Sequence, residues 1–452
     1  MGLEGLDKKY NYISRRDAMK IIGLSPITAS VLTSNISSTL NASEQVKLNG
    51  KIVIVGGGAG AIMLLSKLLI DMQNPDIIII APNDIHLYQP AQVYIGAGEM
   101  DNEDLFIDNN NYIDIKKVQW IKDKVTKFNP DKNTLITRSN QHIAYDYLII
   151  ATGLQYNYEE IKGLSEKDIG KNGITSVYLN DLEKGTAYGA TATKQWFQEL
   201  KEFAKTKKPK VIYTHPNTPI KSSLTPQSIL YLSADYLKQN NLDADYNFIT
   251  SKSKLFYKSK IDKELHKIQS KYSNISNKFQ HHLQSIDIKN KKVTFLNNNK
   301  PIILDYDFIH IVPPMSPVDA IKNSTLVNTS GWLDIDKNTL QHKKYKNIFG
   351  IGDTCDLPIG KTGASTMHHV PVLTQNLIDV MQNKKPSKNF DGYTIFSINT
   401  EYKKSIMAEF NYNGAISTLP ISYDKPRWIW WIFELYMLKP IYKYLILTGR
   451  FQ

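Results

Sequence analysis

Lys51-Ile52-Val53-Ile54-Val55-Gly56-Gly57-Gly58-Ala59-Gly60-Ala61 carries the strongest structural signal in the chain. Its first five residues form a short apolar, β-branched run, the pattern of a parallel strand covered on both faces. A glycine-rich turn follows at once, and Ile62 to Ile70 repeats its apolar residues with helical spacing. Strand, glycine turn and helix in this order make a cradle for a dinucleotide. Gly56 permits the tight turn, and Gly58 and Gly60 let the backbone approach a pyrophosphate. Ala61 stands where a third glycine is usual, and a small residue suffices there for helix–strand packing. The helix N-terminus adds free N–H groups and a favourable dipole.

Working outward, Asp76 to Ile80 reads as the next strand, ending at Ala81-Pro82. An acidic residue is expected here to hold the adenosine ribose. Ala81 cannot, which leaves Asn83 or Asp84 to substitute or the contact weaker. Tyr145 to Ile150 is a third strand, running into the turn Ala151-Thr152-Gly153. Ile348 to Ile351 is a fourth, running into Gly352-Asp353. An early glycine motif, a middle Ala-Thr-Gly and a late Gly-Asp mark flavoproteins with two dinucleotide-binding domains. The expected ligand is therefore FAD, with Asp353 accepting from its ribityl chain. Pro82, Gln89 and Val125 complete the expected cofactor contacts.

The chain has 452 residues, enough for two or three domains. It is 42% hydrophobic and 22% charged, as a folded globular protein is. Its net charge of +12 is spread without a dense basic block interleaved with aromatics, which argues against a nucleic acid partner. A single cysteine, Cys355, excludes an internal disulfide. Ser14-Arg15-Arg16-Asp17-Ala18-Met19-Lys20 precedes a moderately apolar run from Ile21 to Leu32. That is the layout of a twin-arginine export signal, with Ala18 where a bulky Phe is usual; an ordinary basic tail is the alternative. Cleavage is expected between Ala29 and Ala42.

Further stretches carry a family resemblance. They are Ile85-His86-Leu87-Tyr88-Gln89-Pro90, Val312-Pro313-Pro314-Met315-Ser316-Pro317, Gly331-Trp332-Leu333-Asp334 and Thr339-Leu340-Gln341-His342. With them go Ile351-Gly352-Asp353, Leu357-Pro358, Lys361-Thr362, Pro216 to Lys221, Pro226-Gln227 and Ala408-Glu409-Phe410. Together they resemble the sulfide:quinone oxidoreductases, especially the mitochondrial-type branch, over nearly the whole chain after about residue 50. The resemblance implies FAD, a small reduced sulfur donor, a membrane quinone as acceptor and attachment to one membrane face. Lys361 and Thr362 match the family's pair beside the flavin, where a cation stabilises charge on the reduced ring. The family's two redox cysteines are not retained. The position after Thr-Pro-x-Lys is Ser222, and the position after Gly-Asp is Thr354. Cys355 lies one residue further on, either as a reactive thiolate or as a small buried hydrophobe. No cysteine lies near Tyr88, so FAD is expected to be held non-covalently.

A nicotinamide site in the second domain would need its own glycine turn. Lys210-Val211-Ile212-Tyr213-Thr214-His215 leads instead into Pro216-Asn217-Thr218-Pro219, and proline lacks the N–H a phosphate needs. That counts against a type-two NADH dehydrogenase. His368-His369 are adjacent and diverge on a helix, so no metal site is expected. His86 reads as a structural histidine. Near the C-terminus, Lys425-Pro426-Arg427 and Lys439-Pro440 flank Trp428 to Leu438, and Tyr442 to Leu447 follows. Each apolar run is too short to span a bilayer; a pair of interfacial helices divided by Pro440 is expected, with a core or dimer-contact helix as the alternative.

The expected organisation is α/β, with two Rossmann-like dinucleotide-binding domains and C-terminal interfacial helices. Export signal and tail occupy 1–45, the FAD domain 46–170 and 305–390, the second domain 171–304, and the membrane-attachment region 391–452. The expected protein is an FAD-dependent oxidoreductase on the periplasmic side of the cytoplasmic membrane. A paralogue that binds FAD but has lost sulfide chemistry is the alternative, and a homo-oligomer is left open.

Overall fold

A computed structural model describes residues 45–182, 184–272, 274–418 and 424–451. The expected export signal lies outside the described residues. β1 (Lys51–Val55) is buried along four of its five residues and turns into α1 (Ala59–Asp71). β2 (Asp76–Ile80), β3 (Gln119–Ile121) and β4 (Tyr147–Ile150) follow. The chain then builds a second unit. It contains β5 (Ile174–Thr175), α2 (Tyr188–Ala204), β6 (Lys210–His215), α3 (Thr225–Gln239), β7 (Asp245–Thr250), β8 (Ile275–Lys278) and β9 (Phe308–His310). It returns to the first unit through β10 (Ile348–Gly350) and α4 (Gly363–Met381). β11 (Thr394–Glu401) and β12 (Lys404–Asn411) form an antiparallel cap.

The first unit is a five-stranded parallel sheet in the order β10-β4-β1-β2-β3. The second is also five-stranded and parallel, in the order β5-β9-β6-β7-β8. β1, β2 and β4 are nearly continuous aliphatic runs because both faces of the first sheet's centre are covered. β9 lies beyond the break expected at residue 304, yet it pairs with β6 through Val211 and Phe308. A three-residue strand is too short for periodicity to reveal. The outgoing and returning crossovers zip together, Gln155 opposite Ser316 and Tyr156 opposite Met315.

From Trp428 to Ile446 the chain is continuously helical and passes through Pro440 without a break, unlike the divided pair expected. Two wide π turns, Phe433–Met437 and Tyr442–Ile446, flank the proline. A π turn relaxes the one-to-four ladder just where proline lacks its N–H and its ring crowds the preceding carbonyl. This segment is pinned to the first unit. Tyr112 donates from its hydroxyl to the Lys443 carbonyl at 3.0 Å, Ser66 donates to the Leu447 carbonyl at 2.8 Å, and Lys439 pairs with Asp104 at 2.7 Å. Trp428, Tyr436 and Tyr444 stay at least half exposed on its outer side. Among the described residues no helix is long and apolar enough to cross a membrane.

The end of the segment docks through Gly449, which holds φ +69°, and an added Cβ there would lie 2.7 Å from the backbone nitrogen of Lys67 in α1. Gly449→Ala is expected to cost about 2 kcal/mol or more, from the left-handed backbone together with the clash. A lowered urea midpoint, with loss of protease resistance confined to the C-terminus, is the measurement that checks it.

Candidate flavin site

The glycine turn works by close approach. Gly56 has φ +128°, and a Cβ on it would come 2.2 Å from the Ala151 carbonyl oxygen. Gly57 is pressed against Ala81, where a Cβ would meet the Ala81 methyl at 2.6 Å. Gly58 differs: a Cβ there would meet nothing within 4 Å, because the residue opens into a cavity. No side chain caps the N-terminus of α1, so its first N–H groups are available to a ligand. Ala61 is fully buried and packs inside the unit.

That cavity is large, about 1730 Å³, well beyond an ordinary small-molecule pocket of roughly 300–1,000 Å³. It starts at Gly58 and Gly60 and passes Ala151, Thr152 and Gly153. It continues along Gly352, Asp353, Lys361 and Thr362, and ends against Trp430, Phe433, Glu434 and Tyr442 of the C-terminal segment. Pro82 and Gln89 line it. Val125 does not; it opens an antiparallel strand and pairs with Thr137. Ala81 cannot bond a ribose. Asp84 is drawn to the Lys122 ammonium, and Asn83 is the neighbour that lines the cavity. Asn109, which the sequence reading did not single out, holds this corner. Its amide donates to the carbonyls of Gly57 at 3.1 Å and Asn83 at 3.2 Å.

Asn109 also orients His86. Because its amide nitrogen is committed to two carbonyls, its side-chain oxygen accepts from His86 Nδ1 at 2.7 Å. His86 Nε2 is then the acceptor for the Tyr442 hydroxyl at 2.8 Å. Burial holds this imidazole neutral, with its pKa lowered to about 4, against the hydrogen bond it donates to Asn109. His369 is buried too and accepts from the Gly352 N–H through Nδ1 at 3.3 Å, whereas His368 stacks on Tyr393 at 4.0 Å. The two histidines serve different neighbours, and no metal cluster occurs among the described residues.

On the other wall, Thr362 caps α4 by accepting from the Ser365 N–H at 3.2 Å. Lys361 lies over Trp332 at 3.7 Å and donates to the carbonyls of Asp353 at 2.7 Å and Cys355 at 3.0 Å. Burial lowers the Lys361 pKa, and the charge of Asp353 offsets this only in part. Lys221 sits 3.8 Å from the Asp353 carboxylate. Burial opposes its charge, but Tyr156 and Asp353 outweigh that and raise its pKa. Lys221 arrives on the loop after β6, where a dinucleotide turn would otherwise stand. That loop instead pairs with Lys361, the Ser222 N–H donating to the Lys361 carbonyl at 3.1 Å. Ser222 lines the cavity with φ +43°, a strained conformation for a residue with a side chain.

Cys355 does not reach this cavity. It is 1% exposed, and its sulfur packs under Gly350, where a Cβ would lie 2.9 Å away. Burial pushes its thiol pKa far up, against the pull of Lys361. The thiol expected beside the flavin is a packed apolar side chain instead. Thr354 is fully buried, with Thr152 donating to its hydroxyl at 3.4 Å.

Two parallel dinucleotide folds around an uncapped glycine-cradled helix terminus define a flavin-dependent oxidoreductase. The profile of the pyridine nucleotide-disulphide oxidoreductase family matches residues 50–187. The chain is 36% identical to the mitochondrial sulfide:quinone oxidoreductase of Dictyostelium discoideum, over 88% of this chain and 86% of that protein. It is 33% identical to the mitochondrial sulfide:quinone oxidoreductase of Mus musculus, with the same coverage. The chain belongs to the sulfide:quinone oxidoreductase family. The X-ray structure of the sulfide:quinone oxidoreductase from Aquifex aeolicus superposes with a TM-score of 0.71, covering 89% of this chain and 92% of that chain. At 19% identity this is a likeness of fold.

Gly58→Ala is expected to leave folding intact while the flavin-to-protein absorbance ratio falls by about tenfold or more, because its methyl enters only ligand space. Gly56→Ala is expected to lower the unfolding temperature as well, since its methyl meets backbone. A second expectation concerns acid. The unfolded chain binds protons at His86 from pH 6.5 down, whereas the folded ring resists until about 4. His86 therefore stabilises fully above pH 6.5, and this contribution is lost as pH falls through 4. His86→Gln should flatten the decline of the unfolding temperature over that window, measured by calorimetry.

Proposed function

We propose that this chain takes electrons from sulfide or another small reduced sulfur compound and passes them through non-covalently bound FAD to a membrane quinone. The observation that carries this reading is the continuity of the cavity from the glycine cradle to the aromatic C-terminal helix. In this reading Gly58, Gly60 and the α1 terminus hold the pyrophosphate, and Asn83 takes the ribose contact that Ala81 cannot make. Asp353 holds the ribityl chain, and Lys361 and Thr362 lie beside the ring. Bound flavin supplies the two-electron exchange between donor and acceptor.

Lys221 and Ser222 flank the donor side, and the Lys221 ammonium favours an anion such as hydrosulfide. The loop after β6 is committed to closing the flavin cavity, which supports a small donor over a nicotinamide. The aromatic helix, with Trp428, Tyr436 and Tyr444 facing out, supports quinone entry from a lipid surface. Lipid attachment to the periplasmic face after twin-arginine export belongs to the same proposal.

A second reading is favoured by specific residues: Ser222 and Thr354 occupy the cysteine positions of the family pattern, and Cys355 is buried. The chain would then be an FAD-binding paralogue without sulfide chemistry. Anaerobic mixing with sulfide separates the two. Bleaching of the oxidised flavin band, reversed by a soluble quinone, is expected; an unmoved spectrum with FAD bound would select the paralogue. Cys355→Ser is expected to bleach at the wild-type rate, within about twofold, because the thiol touches neither donor nor cavity.

A further inference from the structure

The far end of the cavity contains a carboxyl group that the donor-side chemistry does not use. Glu434 is 5% exposed, lines the cavity and sits in the C-terminal helical segment. The Tyr94 hydroxyl donates to Glu434 Oε2 at 2.9 Å, and the Asn399 amide donates in turn to that hydroxyl at 2.9 Å. Around this pair the wall is apolar: Ile395, Met407 and Phe433 line the cavity beside it. Trp430, 1% exposed, lines the same wall with its indole N–H buried and without a partner. A buried acid in an apolar, aromatic-lined pocket suits a flat ring bearing carbonyl oxygens.

β11 joins this end to the flavin end. Thr394 meets Thr362 at 2.9 Å through their hydroxyls, and on the strand's other face Ile395, Ser397 and Asn399 line the cavity. At the rise of an extended strand Ser397 lies about 10 Å along β11 from Thr394.

Resting on the quinone reading above, we propose that Glu434 is the proton donor to the quinone. The stoichiometry closes. A quinone becomes a quinol by taking two electrons and two protons, and a hydride equivalent from the two-electron-reduced flavin brings both electrons and one proton. The Glu434 O–H bond breaks as an O–H bond forms on the quinone, and water entering as the quinol leaves reprotonates the carboxylate. Glu434 is suited to hold that proton. Burial raises its pKa from the usual carboxylate value to about 7, while hydrogen bonds from Ser397, Tyr94 and Ser405 pull it down. These come from β11, the helix Ala91–Gly96 and β12 respectively, and Tyr88 is a further ionisable group that feels its charge. On its own segment Lys439 is paired with Asp104.

A carboxyl group that merely fastened the C-terminal segment to Tyr94 would be replaced well by glutamine, which keeps the hydrogen bond and loses the proton. The FAD-loaded full chain, reduced chemically without any sulfur donor, is mixed with decylubiquinone in a stopped-flow instrument from about pH 6 to about pH 9. The wild-type reoxidation rate should fall as pH rises above about 7, approaching tenfold per unit. Glu434→Gln should reoxidise about tenfold or more slowly at the acid end and lose the pH dependence, and Glu434→Asp should recover part of the rate. Quinone binding, read independently from quenching of tryptophan fluorescence, should survive in Glu434→Gln within about threefold. An infrared band of a protonated carboxyl that shifts on adding decylubiquinone should vanish in that variant. Equal rates and equal pH profiles in wild type and Glu434→Gln would overturn the Glu434 assignment and leave the quinone reading standing. A wild-type flavin that decylubiquinone does not reoxidise would overturn both.

Discussion

The carbonyl oxygen of Ala151 occupies the space that a side chain on Gly56 would need, and the rest of the site is levelled by that contact. Around it the ends of four strands are tied in one row. Gly56 N–H donates to the Ile80 carbonyl at 2.9 Å, Ala151 N–H to the Val55 carbonyl at 2.9 Å, and Ile351 N–H to the Ile150 carbonyl at 3.0 Å. β1, β2, β4 and β10 therefore stop together, and their turns open on the same side. The α1 terminus, the Ala151–Gly153 turn and Gly352–Asp353 can line one cavity only because the strands end level. Ligands of open parallel sheets gather at this carboxyl edge for the same reason.

The C-terminal segment closes the other end of that cavity by different means. Apolar packing of Trp430, Trp431, Leu435 and Leu447 is joined there by directional ties. His86 with Tyr442, Tyr94 with Glu434, Tyr112 with the Lys443 carbonyl and Ser66 with the Leu447 carbonyl are polar, the Tyr94–Glu434 bond buried and the others partly so. Each such bond contributes only about 0.5–1.5 kcal/mol net, but leaving a buried partner unmade costs more. The arrangement favours one orientation of the helix, with its aromatic outer side exposed. A segment held by directional bonds keeps Trp430 and Glu434 turned inward while Trp428, Tyr436 and Tyr444 face out.

The wall around Asp353 and Lys221 shows how one residue of offset changes chemistry. Thr354 closes a tight turn after Gly352, and Cys355 follows it into the core beneath β10. A thiol there is desolvated and stays protonated, so a reactive cysteine is not available beside the flavin. What the loop after β6 brings to the cavity is Lys221 and a strained Ser222, held against Lys361 by a backbone bond. Charge and hydrogen bonding, not a thiol pair, furnish this wall.

Local chemistry settled much of this before any tertiary contact was considered. Glycines at fixed spacing after an aliphatic run can form one turn and little else, so the first sheet, its helix terminus and the phosphate cradle were legible from Lys51 to Ala61. The Ala151–Gly153 and Gly352–Asp353 turns were legible for the same reason, as was the absence of a glycine turn after Tyr213. Other features depend on residues far apart in the chain. Asn109 gains its role from carbonyls of Gly57 and Asn83, and nothing in its own neighbourhood announces it. Val125 lies outside the cavity because its strand pairs with Thr137. The burial of Cys355, the unbroken passage of the last helix through Pro440, and the meeting of Tyr94 with Glu434 are likewise decided by packing. Sequence spacing specifies backbone turns, whereas burial and long-range partners determine which side chains keep a charge, a proton or an open face.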